Sequence, residues 1–329
     1  MERKTENLRI VIYGAGAVGG VVGGLLALSQ TPVVLIGRSH NMNVINKLGL
    51  QVVTPNAIRV VRLPVVTTPD QIVFGSNDVV FLCVKSQNTE RAMIELNYIV
   101  KDIPIFCFQN GVANEEIVSK YYPRVYGVMV SAGSVFLEDG RVESRSEPPG
   151  RFVIGRYPQG VDALVESVAP KLRNAGYEVL VTPDVMSYKW GKLLLNLNNV
   201  VEAITNASGK QVSRITIAVQ NEGREILTHA GVHWIPIGES PPRQPKVSER
   251  PNSELKRATL GSTWQSLARR QGTVETQFLN GEIVRVANLM GKQAPINETL
   301  LRIAQEMASN KEQPGKYTPE QLVEILRLQ

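Results

Sequence analysis

From Ile10 to Gly37 the chain carries no charged residue, and six glycines lie between Ile10 and Leu28. Following Arg3, Lys4 and Arg9, hydropathy alone would allow an anchor or a signal peptide. The glycine pattern points elsewhere. LRIVIY (Leu8 to Tyr13) is a short β-branched apolar run of the kind that forms a strand buried on both faces. Gly14, Gly16 and Gly19 follow it at once as G-x-G-x-x-G and open an apolar helical run, VVGGLLAL. In a dinucleotide-binding turn the first glycine allows the tight bend, the second lets backbone approach a pyrophosphate, and the third lets helix and strand pack closely. The uncapped amides and dipole of the new helix favour phosphate. A second strand, VVLIG, completes the context that lifts this motif above a chance match.

In NAD-binding versions an acidic residue about twenty residues beyond the glycines takes the ribose 2′-hydroxyl. Here the second strand ends in Gly37-Arg38-Ser39-His40. A carboxylate would repel a 2′-phosphate, whereas the Arg38 fork can pair with one, so NADPH is the expected cofactor. A solvated surface arginine is the plainer reading.

The 329 residues predict two domains. Strands are expected at Val60 to Val66, Asp78 to Val84, Pro104 to Phe108, Val125 to Val130 and Tyr177 to Val181, with a hairpin at VFLEDGRVES. Alternation with helical segments indicates a Rossmann-type, doubly wound parallel α/β sheet. Beyond Pro183 strand signals stop, and helices are expected over 184–205, 210–232, 253–271, 275–291, 296–308 and 318–328. Residues 1–183 are therefore assigned to a dinucleotide-binding domain and 184–329 to a helical one. The five prolines between Ile235 and Asn252 mark a loop.

Thirty-six Lys and Arg against 30 Asp and Glu give a net charge of +6, which suits an anionic small molecule and falls short of a nucleic-acid footprint. Cys83 and Cys107 sit in apolar strand-like runs and read as buried thiols of a reducing compartment. Without a Cys/His cluster, no metal site is expected. The apolar helices could serve one chain's interior or a homodimer face.

Three polar constellations stand out. In KWGKLLLNLNNVVEAI, Lys192, Asn196 and Asn199 recur at i, i+4 and i+7, one face of an apolar helix. They form a site wall or a plain solvent face. Thr263, Glu275 and Asn280 fall near the ends of two later helices, where Glu275 could equally be a dipole-favoured first-turn acid. CVKSQNT and CFQNG place Lys85, Asn110 and Gly111 just past the carboxyl ends of two strands, the side on which open α/β sheets bind ligands; ordinary loop capping is the alternative.

In this order, GAGAVGG, Arg38, CVKSQNT, QNG, KWGKLLLN and VETQFLNGEIV resemble the ketopantoate reductase (2-dehydropantoate 2-reductase) family from about Arg9 to Leu301. The resemblance implies an amino-terminal Rossmann domain and an all-helical carboxyl-terminal domain like that of 6-phosphogluconate dehydrogenase. It further implies a cytoplasmic enzyme that reduces a 2-oxo acid with NADPH in the cleft between the domains, supplying pantothenate and coenzyme A synthesis. By the same likeness Lys192 is the catalytic lysine that polarises and protonates the ketone oxygen, and Glu275 orients it or binds a substrate hydroxyl. Gly14, Ala15, Gly16, Ala17, Val18, Gly19, Arg38, Lys85 and Asn110 fall to the cofactor. Asn110, Lys192, Asn196, Asn199, Thr263 and Glu275 fall to the substrate, Thr263 standing where the family commonly has serine.

The chain also departs from the pattern. Val200 stands where the family has a second asparagine eight residues after the lysine, with Asn199 one position earlier, about 100° round a continuous helix. Glu202 replaces an apolar or threonine-like residue, and Ser208 lies nearest a later asparagine. These changes leave open a paralogous reductase of another small 2-oxo acid, or a non-catalytic NADPH-binding sensor.

Overall fold

The computed structural model describes residues 8–237, 261–270 and 272–328. Most of the proline-rich 235–252 segment, and residues 253–260 of the expected 253–271 helix, lie outside the described residues. The chain forms two compact units: within the described residues the first comprises 8–109 and 113–189, the second 110–112, 190–237, 261–270 and 272–328.

Unit one is built on an eight-stranded sheet. In chain order its strands are β1 (Arg9–Tyr13), β2 (Val33–Ile36), β5 (Val65–Val66), β6 (Asp78–Leu82), β7 (Ile105–Cys107), β8 (Val125–Ser131), β11 (Arg151–Arg156) and β12 (Glu178–Val181). They lie in the order β12-β11-β8-β7-β6-β1-β2-β5, and every pair is parallel except β8 with β11. Alternation gives the sheet two buried faces. Ile10, Ile12, Phe81 and Phe106 enter one core, while Val11, Tyr13, Val80 and Cys107 enter the other. In the first, Phe81 stacks on Phe108 at 4.4 Å and Phe106 on Tyr126 at 4.3 Å. The helices are α1 (Ala17–Leu28), α2 (Ser39–Leu48), α3 (Thr89–Ile99), α4 (Asn114–Ser119), α5 (Ala163–Asn174) and α6 (Val185–Asn196), the last continuing past Lys189 into unit two.

A second sheet of four strands, in the order β4-β3-β10-β9, joins β3 (Leu50–Val53) and β4 (Ile58–Val61) to the hairpin β9 (Ser134–Glu138) and β10 (Arg141–Ser144). The hairpin turns at Asp139-Gly140 as expected, with Gly140 at φ +77°. The single strand expected over Val60 to Val66 is instead two short strands in different sheets. Pro64 separates them: it has no amide to donate, and its carbonyl accepts from the Leu35 amide at 3.0 Å.

Helix α1 lies between the two sheets, which explains its glycine pairs. Gly19 and Gly23 face the large sheet, where an added Cβ would come within 2.9 Å of Ile12 Cγ2 and 2.7 Å of Leu35 Cδ2. Gly20 and Gly24 face the small sheet, where it would lie 2.7 Å from Val142 Cγ1 and 2.5 Å from Val52 Cγ2. A helix pressed on both sides has little solvent face, hence the absence of charge. Among the described residues no helix is long and apolar enough to cross a membrane.

Unit two is helical: the end of α6, then α7 (Asn199–Thr205), α8 (Ser213–His229), α9 (Ser262–Ala268), α10 (Asn280–Leu289), α11 (Pro295–Ser309) and α12 (Pro319–Ile325). Its core is aliphatic, with Leu193, Leu197, Val201, Ile204, Ile215, Ile283, Leu300 and Met307 all at most 1 % exposed. The continuous 184–205 helix expected from periodicity is broken at Leu197-Asn198. A one-face relation of Lys192 to Asn199 therefore no longer follows from helical period alone, because the two residues belong to separate helices.

Gly24→Val should force the small sheet from α1 and cost about 1–3 kcal/mol. Urea unfolding followed by circular dichroism would measure it.

Candidate active site

The glycine turn is held by its own backbone. Gly14 (φ +113°) sits where a Cβ would meet the Val84 amide nitrogen at 2.6 Å, and the Gly14 and Ala15 amides donate to the Ile36 carbonyl at 3.0 and 3.1 Å. Asn41, 6 % exposed, braces it from behind: Nδ2 donates to the Ala15 carbonyl at 3.0 Å, and Oδ1 accepts from the Gly140 amide at 2.7 Å. Gly16 is different, since a Cβ there would meet nothing within 4 Å. It caps α1 without a side chain, and the first turn, Ala17, Val18 and Gly19, contains no acid. Open space before uncapped helix amides could accept a pyrophosphate. Arg38 is exposed at the start of α2, its guanidinium with no hydrogen-bond or ion-pair partner among the described residues.

A buried polar chain underlies the strand ends carrying Lys85 and Gln109. Gln109 Nε2 donates to the Val84 carbonyl and to Thr89 Oγ1, both at 2.8 Å; Thr89 donates to Asn114 Oδ1 at 2.8 Å, and Asn114 to Ser86 Oγ at 3.2 Å. Lys85 is half-buried at the mouth of the single 3₁₀ turn Ser86–Asn88. None of Asn41, Gln109, Thr89 and Asn114 was given a role from sequence, although Gln109 opens the QNG motif and Asn114 lies three residues beyond it.

In unit two, Asn196 Nδ2 donates to Asn110 Oδ1 at 3.2 Å, and Lys192 stands one turn earlier on α6. Lys192 has no hydrogen-bond or ion-pair partner among the described residues, and burial pulls its ammonium below the ordinary lysine range. Such a group exchanges its proton closer to neutrality than an ordinary lysine. Gly111, at φ +82°, lies so close to the turn Glu275–Phe278 that a Cβ would be 2.7 Å from the Phe278 carbonyl oxygen. Glu275 is half-buried at the head of that turn. Thr263 is 1 % exposed, its hydroxyl without a partner among the described residues.

Asn199 stands at the head of α7, beyond the helix that carries Lys192. It flanks Gly261 together with Glu202: a Cβ on Gly261 would lie 3.2 Å from Asn199 Oδ1 and 3.4 Å from Glu202 Oε2. The Gly261 amide donates to Glu202 at 3.4 Å, yet burial still raises the carboxyl above its ordinary range. Asn280, read from sequence as part of a polar stripe, is wholly buried. It donates to the Leu197 carbonyl at 3.3 Å and to Asn297 Oδ1 at 2.9 Å. That carbonyl belongs to the break between α6 and α7, so Asn280 supplies a donor where the helix ladder stops.

The sequence model described as ketopantoate reductase PanE/ApbA matches residues 10–159, and that of its C-terminal domain matches residues 184–308. A 2-dehydropantoate 2-reductase of Pyrococcus horikoshii is 31% identical over 297 residues, covering 88% of this chain and 94% of that protein. A PanE/ApbA family ketopantoate reductase structure from Ralstonia eutropha superimposes with a TM-score of 0.76 at 26% identity, covering 92% of this chain and 99% of the other. A D-mandelate dehydrogenase solved with NADH and anilino(oxo)acetate shares the fold, with a TM-score of 0.78 at 19% identity, covering 92% of this chain and 99% of the other.

Asn280→Ala should strand the buried Leu197 carbonyl and cost about 1–3 kcal/mol. Chemical denaturation of the purified variant would show it, and an unchanged midpoint would count against this assignment.

Proposed function

The chain belongs to the ketopantoate reductase family, and from that premise we propose that it reduces 2-dehydropantoate to pantoate with NADPH, a step of pantothenate and coenzyme A synthesis. The observation carrying this reading is Lys192, a partly buried ammonium with a lowered pKa, one turn before an asparagine bonded to Asn110.

The open space at Gly16 and the uncapped amides of Ala17 to Gly19 fit a pyrophosphate, with Gly14 and Ala15 shaping the bend. Arg38 takes the 2′-phosphate, and Lys85 and Asn110 are the remaining cofactor contacts. When bound, the nicotinamide supplies the hydride to the ketone carbon. Negative charge then grows on the carbonyl oxygen. Lys192 Nζ donates a hydrogen bond to that oxygen and passes it the proton, combining electrostatic stabilisation with general-acid catalysis. Glu275 orients Lys192 or accepts a substrate hydroxyl. The hydroxyl of Thr263 and the amides of Asn196 and Asn199 hold the rest of the acid, and a buried hydroxyl lacking a partner among the described residues is suited to this.

A second reading, reduction of another small 2-oxo acid, is favoured by one observation. Asn199 and Glu202 converge on Gly261, so an extra carboxyl stands two residues along the chain from Thr263. A panel of 2-oxo acids assayed by NADPH absorbance separates the two readings. Cofactor binding without turnover on any acid would instead favour a sensor.

Lys192→Ala should lower kcat at least about 100-fold while leaving NADPH binding intact. The acid form is needed for reduction, so the rate should fall as pH rises through a pKa below the ordinary lysine range, and rate-against-pH curves for parent and variant would show that limb and its loss. Arg38→Ala should weaken NADPH about tenfold or more, as expected for one charge-assisted contact, with NADH little changed. Fluorescence titration with each dinucleotide measures this.

A further inference from the structure

One pair of buried charges has no part in the chemistry above. Lys189 of α6 is 3 % exposed and Glu115 of α4 is fully buried; they form an ion pair inside unit one. Lys189 Nζ also donates to the Gln109 carbonyl at 3.1 Å. Its stem crosses β8 at Gly127, where a Cβ would lie 3.6 Å from Lys189 Cδ. So deep a pair is a weak source of net stability, because desolvation offsets most of the attraction and apolar pairs of similar volume often serve as well. What it imposes is geometry: only one rotation and height of α6 brings the ammonium to both acceptors.

That constraint falls beside Lys192. Residues 189, 192 and 196 follow one another at i, i+3 and i+7 along α6 and lie within about 60° of each other around its axis. Lys189 holds the carbonyl of Gln109, and Asn196 holds the side chain of the next residue, Asn110. Lys192 stands between these two ties on the same face of the helix.

We propose that Lys189, paired with Glu115 and bonded to the Gln109 carbonyl, is a positioning residue that fixes the rotation of α6 and with it the placement of Lys192. The proposal rests on the reading of Lys192 as the proton donor. It adds that this placement depends on a charged pair which touches neither substrate nor cofactor.

The double variant Lys189→Met/Glu115→Leu replaces the pair with apolar groups and leaves no charge buried alone. We expect it to fold and to bind NADPH like the parent, with kcat at least about tenfold lower, since small misplacements of a catalytic group are costly, and with KM for the 2-oxo acid little changed. The reactivity of Lys192 towards acetic anhydride, measured against the other lysines by competitive labelling and mass spectrometry, should shift as well. A parent-like kcat in the folded variant overturns the proposal. So does a lower kcat with unchanged Lys192 labelling, since the lost rate then has another source. If the double variant does not fold, Glu115→Gln, which keeps shape and an acceptor but removes the charge, is judged by the same two readouts. If the parent reduces no 2-oxo acid, the reductase reading fails by itself and the labelling alone decides: a shift supports positioning and no shift overturns it.

Discussion

Everything in the first unit depends on how closely backbone can approach backbone at α1. Two glycine pairs, each giving one residue to the large sheet and one to the small, let a helix sit between them at distances no side chain would allow. The strand-turn-helix geometry at Gly14 and Gly16 follows, because the start of α1 is set by the same packing. Asn41 completes it by bonding the turn to the hairpin at Gly140. The small sheet, at first sight an appendage, is thus one jaw of the clamp that shapes the amino-terminal end of the helix.

The second unit works by a different device. Its core is aliphatic and undirected, so its polar side chains supply the precision. Asn280 and Asn297 bond one another, and Asn297 reaches the Val219 carbonyl and Glu222. These amides hold the α6–α7 break, α8 and the start of α11 together. A break in a helix exposes carbonyls that an apolar core cannot satisfy, and side-chain amides are the compact remedy. Asn280, grouped from sequence with Thr263 and Glu275, is thus part of the frame of this unit rather than an open polar side chain.

Local signals were legible in the sequence and distant partnerships were not. The Rossmann start, the parallel alternation, the Asp139-Gly140 hairpin and the helical second half all followed from periodicity and turn chemistry. Strand β3 was missed because LQVV is only four residues long and, besides the adjacent β4, its partner β10 is far away in sequence, and β11 because RFVIGR is interrupted by Gly155 and bounded by arginines. The break after Asn196 was signalled by the Asn198-Asn199 pair, since asparagine favours helix caps over interiors, but the apolar period runs through it. Lys189 was passed over beside the more conspicuous Lys192. Its signal was a second lysine on the same face of an apolar helix, while Glu115 sits in the first turn of α4, where an acid needs no partner to be explained. Neither residue announces a partner more than seventy positions away.

The pairing of β3 with β10 also sets a schedule for synthesis. Strand β10 begins at Arg141, long after α1 ends at Leu28, so on the ribosome the helix leaves the exit tunnel with one jaw of its clamp still to be made. At ordinary elongation rates the interval is on the order of ten seconds. During it the chain presents an uncharged, glycine-rich helix whose Gly20 side still lacks Val142, so apolar surface stays uncovered until the hairpin arrives.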